Sequence, residues 1–320
     1  MSNIPHVSLV TGAGGFIGAN LVRRLVGQGE YVHVIIRADK PSWRLLDIAD
    51  KIVWHKADLR DDDAVHAITH KVRPEVIYHL ATAGVYAGAH VSDSEMIENN
   101  ILSLINLLDA LSDLDYRCFI NTGSSAEYGQ KQVPMHEDDI CEPVTVYGIS
   151  KLAATHYARL IAQKESKSIV TLRPFSPYGP YDDESRLISY AIAHALRGES
   201  LTLGNSQSVR DFVYIDDVVD AYIQCAKNEI KFNGEIFNIA GGKEYSVGAV
   251  VEKIFEKTKS LSMHSWKNDS AKRAWESSHW QADISKAKNI LNWEPKISFN
   301  NGLDETIKWF QKNLPFYKGI

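Results

Sequence analysis

Residues 7–18 read V-S-L-V-T-G-A-G-G-F-I-G, and the fold follows from how that stretch is parsed. The apolar run Val7 to Val10 has the character of a buried strand. Glycines then turn the chain, and an amphipathic helix is expected from Phe16 to Val26. A strand that feeds a helix through glycines leaves backbone N–H groups and the positive helix end facing one point, which suits an anion. Gly12 permits the tight turn, Gly15 the close approach of a pyrophosphate, and Gly18 close helix–strand packing. The spacing is G-x-x-G-x-x-G, because Ile17 occupies the last slot of the commoner G-x-G-x-x-G. A glycine triplet alone marks only a turn; its place between strand and helix makes it a dinucleotide fingerprint.

The 320 residues suffice for one large domain or two modest ones. A net charge of -5 gives no general attraction to nucleic acid or to acidic membranes. No apolar run reaches the length of a membrane span, and Met1–Pro5 does not read as a signal peptide. Cys118, Cys141 and Cys225 are scattered, with no C-x-x-C, so neither a disulfide framework nor a zinc site is indicated. A cytoplasmic protein is expected.

Outward from the opening stretch, Tyr31–Ile36 reads as the second strand. Arg37 follows it about where an NAD site places an acidic residue on the ribose 2′-hydroxyl. An arginine there suits the 2′-phosphate of NADP, with Arg44 near enough in sequence to assist. Asp39 is the competing acidic candidate, and a plain solvated strand end is the other alternative. Ile52–His55 is a third strand; Asp58 after it faces adenine or caps a helix. A polar helix over Asp61–Lys71 and a fourth strand over Val76–Leu80 come next. Ser92 to Leu111 reads as one long helix, with Leu102, Ile105 and Leu108 at helical spacing. Arg117–Asn121 is a fifth strand, Thr145 caps a helix running to Gln163, and Ile169–Leu172 is a sixth strand. The strand–helix alternation predicts an α/β fold: a Rossmann-type doubly wound parallel sheet. After Pro174 the pattern becomes irregular, and Ser176–Asp183 reads as a loop. The expected organisation is a dinucleotide-binding domain over 1–175, with return segments around 211–240. A smaller mixed α/β substrate-binding domain occupies 176–320.

Tyr147 and Lys151, spaced i, i+4, share one face of a helix start. An ammonium beside a phenol lowers the phenol's pKa from about 10, and the helix N-terminus acts in the same direction. Tyr147 thereby becomes a usable proton donor and acceptor near neutral pH. Ser124, just past the end of a parallel strand, is placed to hold a substrate oxygen or to cap the following turn.

Taken together, T-G-A-G-G-F-I-G, A-D-L-R-D, H-L-A, S-S-A-E-Y-G, Y-G-I-S-K, R-P-F-S-P-Y-G-P, R-D-F-V-Y-I-D-D and L-N-W-E-P resemble the extended short-chain dehydrogenase/reductases. More narrowly, they resemble the nucleotide-sugar epimerase/dehydratase group. The resemblance implies Ser124, Tyr147 and Lys151 as the catalytic set, with Lys151 also on the nicotinamide ribose. The implied cofactor set is Gly12, Gly15, Phe16, Ile17, Gly18, Arg37, Asp58, Leu59, Leu80 and Ala81, with Tyr147 and Lys151. Ser125, Ser176, Arg210 and Arg273 are implied on the sugar nucleotide, the two arginines on its diphosphate. The alternative for Arg210 is pairing with Asp211 or Asp216.

Two positions depart from the group's pattern. Ser176 stands where Asn is usual. Ser125 and Ala126 stand where 4,6-dehydratases carry acids, which disfavours water elimination unless a shifted turn brings Glu127 into play. Arg37 favours the NADPH pool, so the sequence points to an NADP-dependent reductase of a nucleotide-linked 4-keto-6-deoxy sugar. An NAD-dependent nucleotide-sugar 4-epimerase is the alternative, a reductase of a non-sugar carbonyl the third reading, and a non-catalytic NADP sensor the alternative of a different class. A nucleotide sugar is the expected small-molecule partner. A homodimer is expected, through the helices around Ser92–Leu111 and Thr145–Gln163.

Overall fold

The computed structural model describes residues 6–37, 42–84, 91–227, 231–266 and 278–317. In chain order the first strands are β1 (Val7–Thr11), β2 (Tyr31–Ile36), β3 (Val53–Lys56), β4 (Val76–His79), β5 (Cys118–Thr122) and β6 (Ile169–Pro174). They are followed by β7 (Ser176–Tyr178), β8 (Leu201–Leu203), β9 (Val209–Tyr214), β10 (Asn233–Ile239), β11 (Glu244–Ser246) and β12 (His264–Trp266). Seven of them form one parallel sheet in the order β10-β6-β5-β4-β1-β2-β3. Strand order reverses beside β1, which opens a crevice at the carboxyl ends of β1 and β4.

Alternate residues of each central strand enter different cores. Val10, Val34, Tyr78, Ile120 and Val170 join one apolar cluster. Their neighbours Leu9, Ile35, Ile77, Phe119 and Ile169 join the other. This is the two-residue period of a strand expressed in a sheet covered on both faces. It explains why β4, β5 and β6 show no alternation of apolar and solvent-facing residues: every residue in them is buried. One face carries α1 (Phe16–Gly27). The other carries α2 (Asp62–Val72), the broken helix of α3 (Asp93–Ile97) and α4 (Ser103–Asp109), and α5 (Val146–Glu165). The chain builds α6 (Leu187–Arg197) outside the main sheet, and α7 (Ile215–Lys227) then returns against α1. A small sheet, in the order β11-β9-β7, and the pair β12-β8 stand beside α6 and α8 (Val247–Thr258). Finally, α9 (Ser285–Leu291) and α10 (Phe299–Asn313) close the molecule.

The helix expected over Ser92–Leu111 is present over residues 93–109, with one irregular segment inside it. Between α3 and α4 the backbone widens into a π turn at Glu98–Leu102. The extra residue in that turn rotates Asn99 and Asn100 inward, where both are buried. Asn100 Oδ1 accepts from Ala83 N at 2.7 Å, and its Nδ2 donates to Ala83 O and Ser150 Oγ, each at 2.9 Å. The Ser176–Asp183 stretch, expected as loop, begins with β7, which pairs in parallel with β9. Among the described residues, no helix is long and apolar enough to cross a membrane.

Candidate active site

The glycine turn fills the crevice beside β1. Gly12 has φ +70°, and a Cβ there would lie 2.4 Å from the Leu80 carbonyl carbon. A Cβ on Gly18 would lie 2.2 Å from the Gly12 carbonyl oxygen. Gly15 is exposed, and a Cβ on it would meet only Gly12 O, at 3.3 Å. Two glycines therefore serve backbone contact, while the middle one leaves open approach. Helix α1 has no side-chain cap and no acid in its first turn. By contrast, Asp61 caps α2 and Thr145 caps α5. The first N–H groups of α1, including those of Phe16 and Ile17, have no intrahelical acceptor and face the crevice. These features fit the pyrophosphate of a dinucleotide. Gly18→Ala is expected to destabilise the fold by about 1–3 kcal/mol through overpacking. It should also lower the nucleotide content of the purified protein, read by urea titration and by acid release with chromatography.

At the ends of β2 and β3 the next cofactor candidates all have protein partners. Arg37 Nη1 donates to Asn99 Oδ1 at 3.2 Å. Arg44, expected to assist it, turns elsewhere: Nε donates to Tyr181 O at 2.7 Å and Nη1 to Gly14 O at 3.3 Å. Asp58 is not the cap of α2; Asp61 takes that role, accepting from Ala64 N at 3.1 Å. Asp58 instead accepts from Arg60 Nε at 3.0 Å and Nη2 at 2.7 Å, which holds its carboxyl down at about 2. Beside it, Leu59 is buried and its carbonyl accepts from Asn106 Nδ2 at 3.1 Å. Leu80 is buried at the end of β4, and Ala81 N donates to Thr11 Oγ1 at 3.2 Å. Asp39 lies outside the described residues.

The catalytic candidates meet where α5 starts. Thr145 Oγ1 accepts from Gly148 N at 3.0 Å and fixes the first turn. Gly148 is the contact residue: a Cβ there would sit 2.5 Å from the Ala126 carbonyl oxygen. Only glycine lets the helix start press on the short turn Ser125–Glu127 that follows β5. This brings the Ser124–Ser125 segment to the end of α5 that carries Tyr147. One turn further on, Lys151 is 3% exposed. Burial lowers its ammonium to about 8, with Glu127 opposing the shift. Burial, with help from the Lys151 charge, lowers the His79 imidazole to about 3 and keeps it neutral. The Tyr222 hydroxyl, bonded to Thr122 Oγ1 at 2.7 Å, lies within electrostatic reach of Tyr147.

Ser124 does cap its turn. Its Oγ accepts from Ala126 N at 3.1 Å, and its N–H donates to Glu127 Oε1 at 2.8 Å. Ser125 is buried in the turn's first position. Glu127 is fully buried and committed: Oε2 pairs with Arg173 Nε at 2.8 Å, while Oε1 also accepts from Thr155 Oγ1 at 3.1 Å. A shifted turn does not deliver it to a substrate. Asn99, Asn100, Gly148 and the Glu127–Arg173 pair escaped the sequence reading. The run E-N-N on the predicted helix was the one local signal, since two adjacent amides suit no apolar helix face.

A cavity of about 450 Å³ lies beyond, between the small sheet and α6, and Ser176, Asp182, Arg186, Asn205 and Arg210 line it. The first residues of α6, Leu187 and Ile188, line it too, and α6 likewise has no side-chain cap and no acid in its first turn. A second helix N-terminus thus meets two arginines, a setting for phosphate. Asp211 and Asp216, the alternative partners of Arg210, hold other groups: Asp211 accepts from Gly241 N and Ala282 N, and Asp216 pairs with Arg24. Arg210 Nη1 donates to Ser208 Oγ at 3.0 Å, and its guanidinium stands 5.7 Å from the Trp280 ring centre. Arg273 lies outside the described residues.

The chain's similarities agree with this geometry. A profile described as the NAD dependent epimerase/dehydratase family matches residues 8–240. A UDP-glucuronate 4-epimerase of Thermodesulfobacterium geofontis is 29% identical over 328 residues, covering 98% of each chain. The crystal structure of a UDP-glucose 4-epimerase from Thermotoga maritima with UDP-glucose superposes with a TM-score of 0.87. It is 29% identical, over 96% of this chain and 99% of that one. A UDP-glucuronic acid 4-epimerase from Bacillus cereus, in complex with UDP-glucuronic acid and NAD, gives a TM-score of 0.85. It is 26% identical, over 96% of this chain and 99% of that one.

Proposed function

The chain belongs to the NAD dependent epimerase/dehydratase family of extended short-chain dehydrogenase/reductases, and from that premise we propose that it is a nucleotide-sugar 4-epimerase holding NAD. Similarity to 4-epimerases over nearly the whole chain supports this reading ahead of the reductase favoured by sequence alone. The observation that carries the choice of cofactor is the fate of the two arginines. Arg37 meets Asn99, and Arg44 meets Gly14 and Tyr181, so the pair does not converge as a 2′-phosphate grip. The commitment of Glu127 to Arg173 speaks against dehydration.

The glycine turn from Gly12 to Gly18 and the start of α1 would hold NAD, which would supply reversible hydride transfer at C4 of the sugar. Tyr147, as phenolate, takes the 4-hydroxyl proton and later gives it back. Lys151 stabilises the phenolate by its charge. Ser124, whose cap bond uses its oxygen as acceptor, keeps its O–H to donate a hydrogen bond to the substrate oxygen. Arg210, Arg186 and the start of α6 hold the diphosphate while the sugar turns between the two hydride steps.

Denaturing the purified protein and identifying the released nucleotide tests the cofactor. Stoichiometric NAD, with interconversion of UDP-glucose and UDP-galactose or of their uronates, supports the epimerase. The reductase remains the second reading, on the specific ground that a basic Arg37 ends β2. Exchangeable NADPH, consumed with a 4-keto sugar, would replace the first reading with it.

The Lys151 ammonium sits at about 8 rather than its ordinary 10.5, so it loses its proton as pH rises through about 8. Turnover is therefore expected to fall along an alkaline limb centred near 8. Lys151→Arg should move that limb upward, at a lower maximal rate, in a kcat-against-pH profile.

We also propose a homodimer. Ile97, Leu102, Ile149 and Leu160 are exposed along α3, the π turn and α5. Sedimentation should give about twice the 35.9 kDa chain mass, and Leu160→Glu should shift the protein toward that of one chain.

A further inference from the structure

Three consecutive carbonyls beside the cavity are each gripped by a side chain from a different part of the sequence. Asn20 Nδ2, on α1, donates to Pro180 O at 3.0 Å. Arg44 Nε donates to Tyr181 O at 2.7 Å. The Tyr317 hydroxyl donates to Asp182 O at 3.0 Å. The middle residue, Tyr181, has φ +67°, a left-handed conformation that residues with a Cβ rarely adopt. Its ring packs against the Arg23 guanidinium, 4.4 Å from the ring centre, and the Trp309 ring, 4.9 Å away. Such a conformation persists only where its surroundings over-determine it, and three carbonyl grips with two ring contacts do so.

What this segment carries explains the restraint. Asp182 and Arg186 follow directly and both line the cavity. Asp182 is 1% exposed, and its Oδ1 accepts from Asp183 N at 2.8 Å and stands 3.4 Å from Arg186 Nε. Arg186 Nη2 donates in turn to Pro177 O at 3.1 Å. Arg44 also reaches Gly14 O, inside the glycine turn. The grip on the cavity wall and the shape of the dinucleotide turn thus share one guanidinium.

We propose that Asn20, Arg44 and Tyr317 are positioning residues that hold Asp182 and, through its contact with Arg186, set that guanidinium for the diphosphate of the nucleotide sugar. The proposal rests on the reading of the cavity as the nucleotide-sugar site. Freed of a grip, Tyr181 relaxes toward negative φ and carries residues 182–186 out of register. Ser124, Tyr147 and Lys151 stand on other elements and keep their arrangement. The expected signature is weaker binding with little change in the chemical step.

Calorimetric titration of UDP into the holoenzyme, with steady-state kinetics, tests this. Tyr317→Phe deletes a single oxygen and should raise the Kd for UDP and the KM for substrate about fivefold, the scale of one hydrogen bond. Arg44→Leu should raise both about tenfold or more, and Arg44→Lys should restore most of that loss. In Tyr317→Phe kcat should stay within about twofold and nucleotide content unchanged, whereas Arg44→Leu, which also frees Gly14 O, is compared by UDP affinity in protein saturated with nucleotide. If the wild-type protein binds no UDP, the cavity reading falls and takes the proposal with it. If the wild type binds UDP and the variants bind it equally well, the proposal alone falls. Loss of kcat and nucleotide along with UDP affinity in Tyr317→Phe marks a general folding role and also overturns it. Should Arg44→Leu not fold, Tyr317→Phe decides.

Discussion

Tyr147→Phe is expected to lower kcat by about 10²–10⁴-fold, the usual contribution of a positioned acid–base group. The purified variant should retain its nicotinamide nucleotide, since the glycine turn proposed to hold the pyrophosphate is on a separate element. The phenol oxygen is the one atom lost, and the fold around it is set by other residues: Thr145 caps α5, and Gly148 seats it on Ala126. KM should move little, because Arg210, Arg186 and the start of α6 are untouched. Turnover near wild-type levels would remove Tyr147 from the reaction. A parallel loss of nucleotide would mean that the residue acts mainly in binding.

Glu127→Ala carries the largest expected effect on stability. The change leaves the Arg173 guanidinium, 1% exposed, without its anion in a site closed to water. Breaking a buried pair from one side costs about 3–5 kcal/mol. It also removes the acceptor of Ser124 N and Thr155 Oγ1. Urea titration should show the midpoint falling accordingly. Glu127→Gln, which keeps an acceptor but not the charge, should lose less. An unchanged midpoint would show that Arg173 finds another partner. A rise in dehydration product in the wild type, lost in Glu127→Gln, would restore the acid to the chemistry.

The parts of this site that were legible in the sequence are those whose determinants are local. Gly12, Gly15 and Gly18 sit within one turn of a strand end, and their roles follow from spacing. Tyr147 and Lys151 are one helical turn apart, so their shared face is a matter of period. What escaped depends on partners far along the chain. Arg44 finds Gly14 across 30 residues and Tyr181 across 137, and nothing adjacent to it signals either. Glu127 finds Arg173 across 46 residues. The π turn was hidden for a different reason. Leu104, Leu107 and Leu108 keep helical spacing after it and Met96 packs before it, so the apolar period runs through the break. The Ser176–Tyr178 strand was masked by its proline and by its length of three residues.

The order β10-β6-β5 means that the last strand of the main sheet arrives only after β7 and β9 of the small sheet have been passed. Fragments ending near residue 175 would leave the β6 ladder bare along a strand that is wholly buried in the full chain. Such a piece offers a template for intermolecular pairing instead of an autonomous nucleotide carrier. Excising or transplanting the cofactor half of this chain therefore requires residues 215–239 to travel with it.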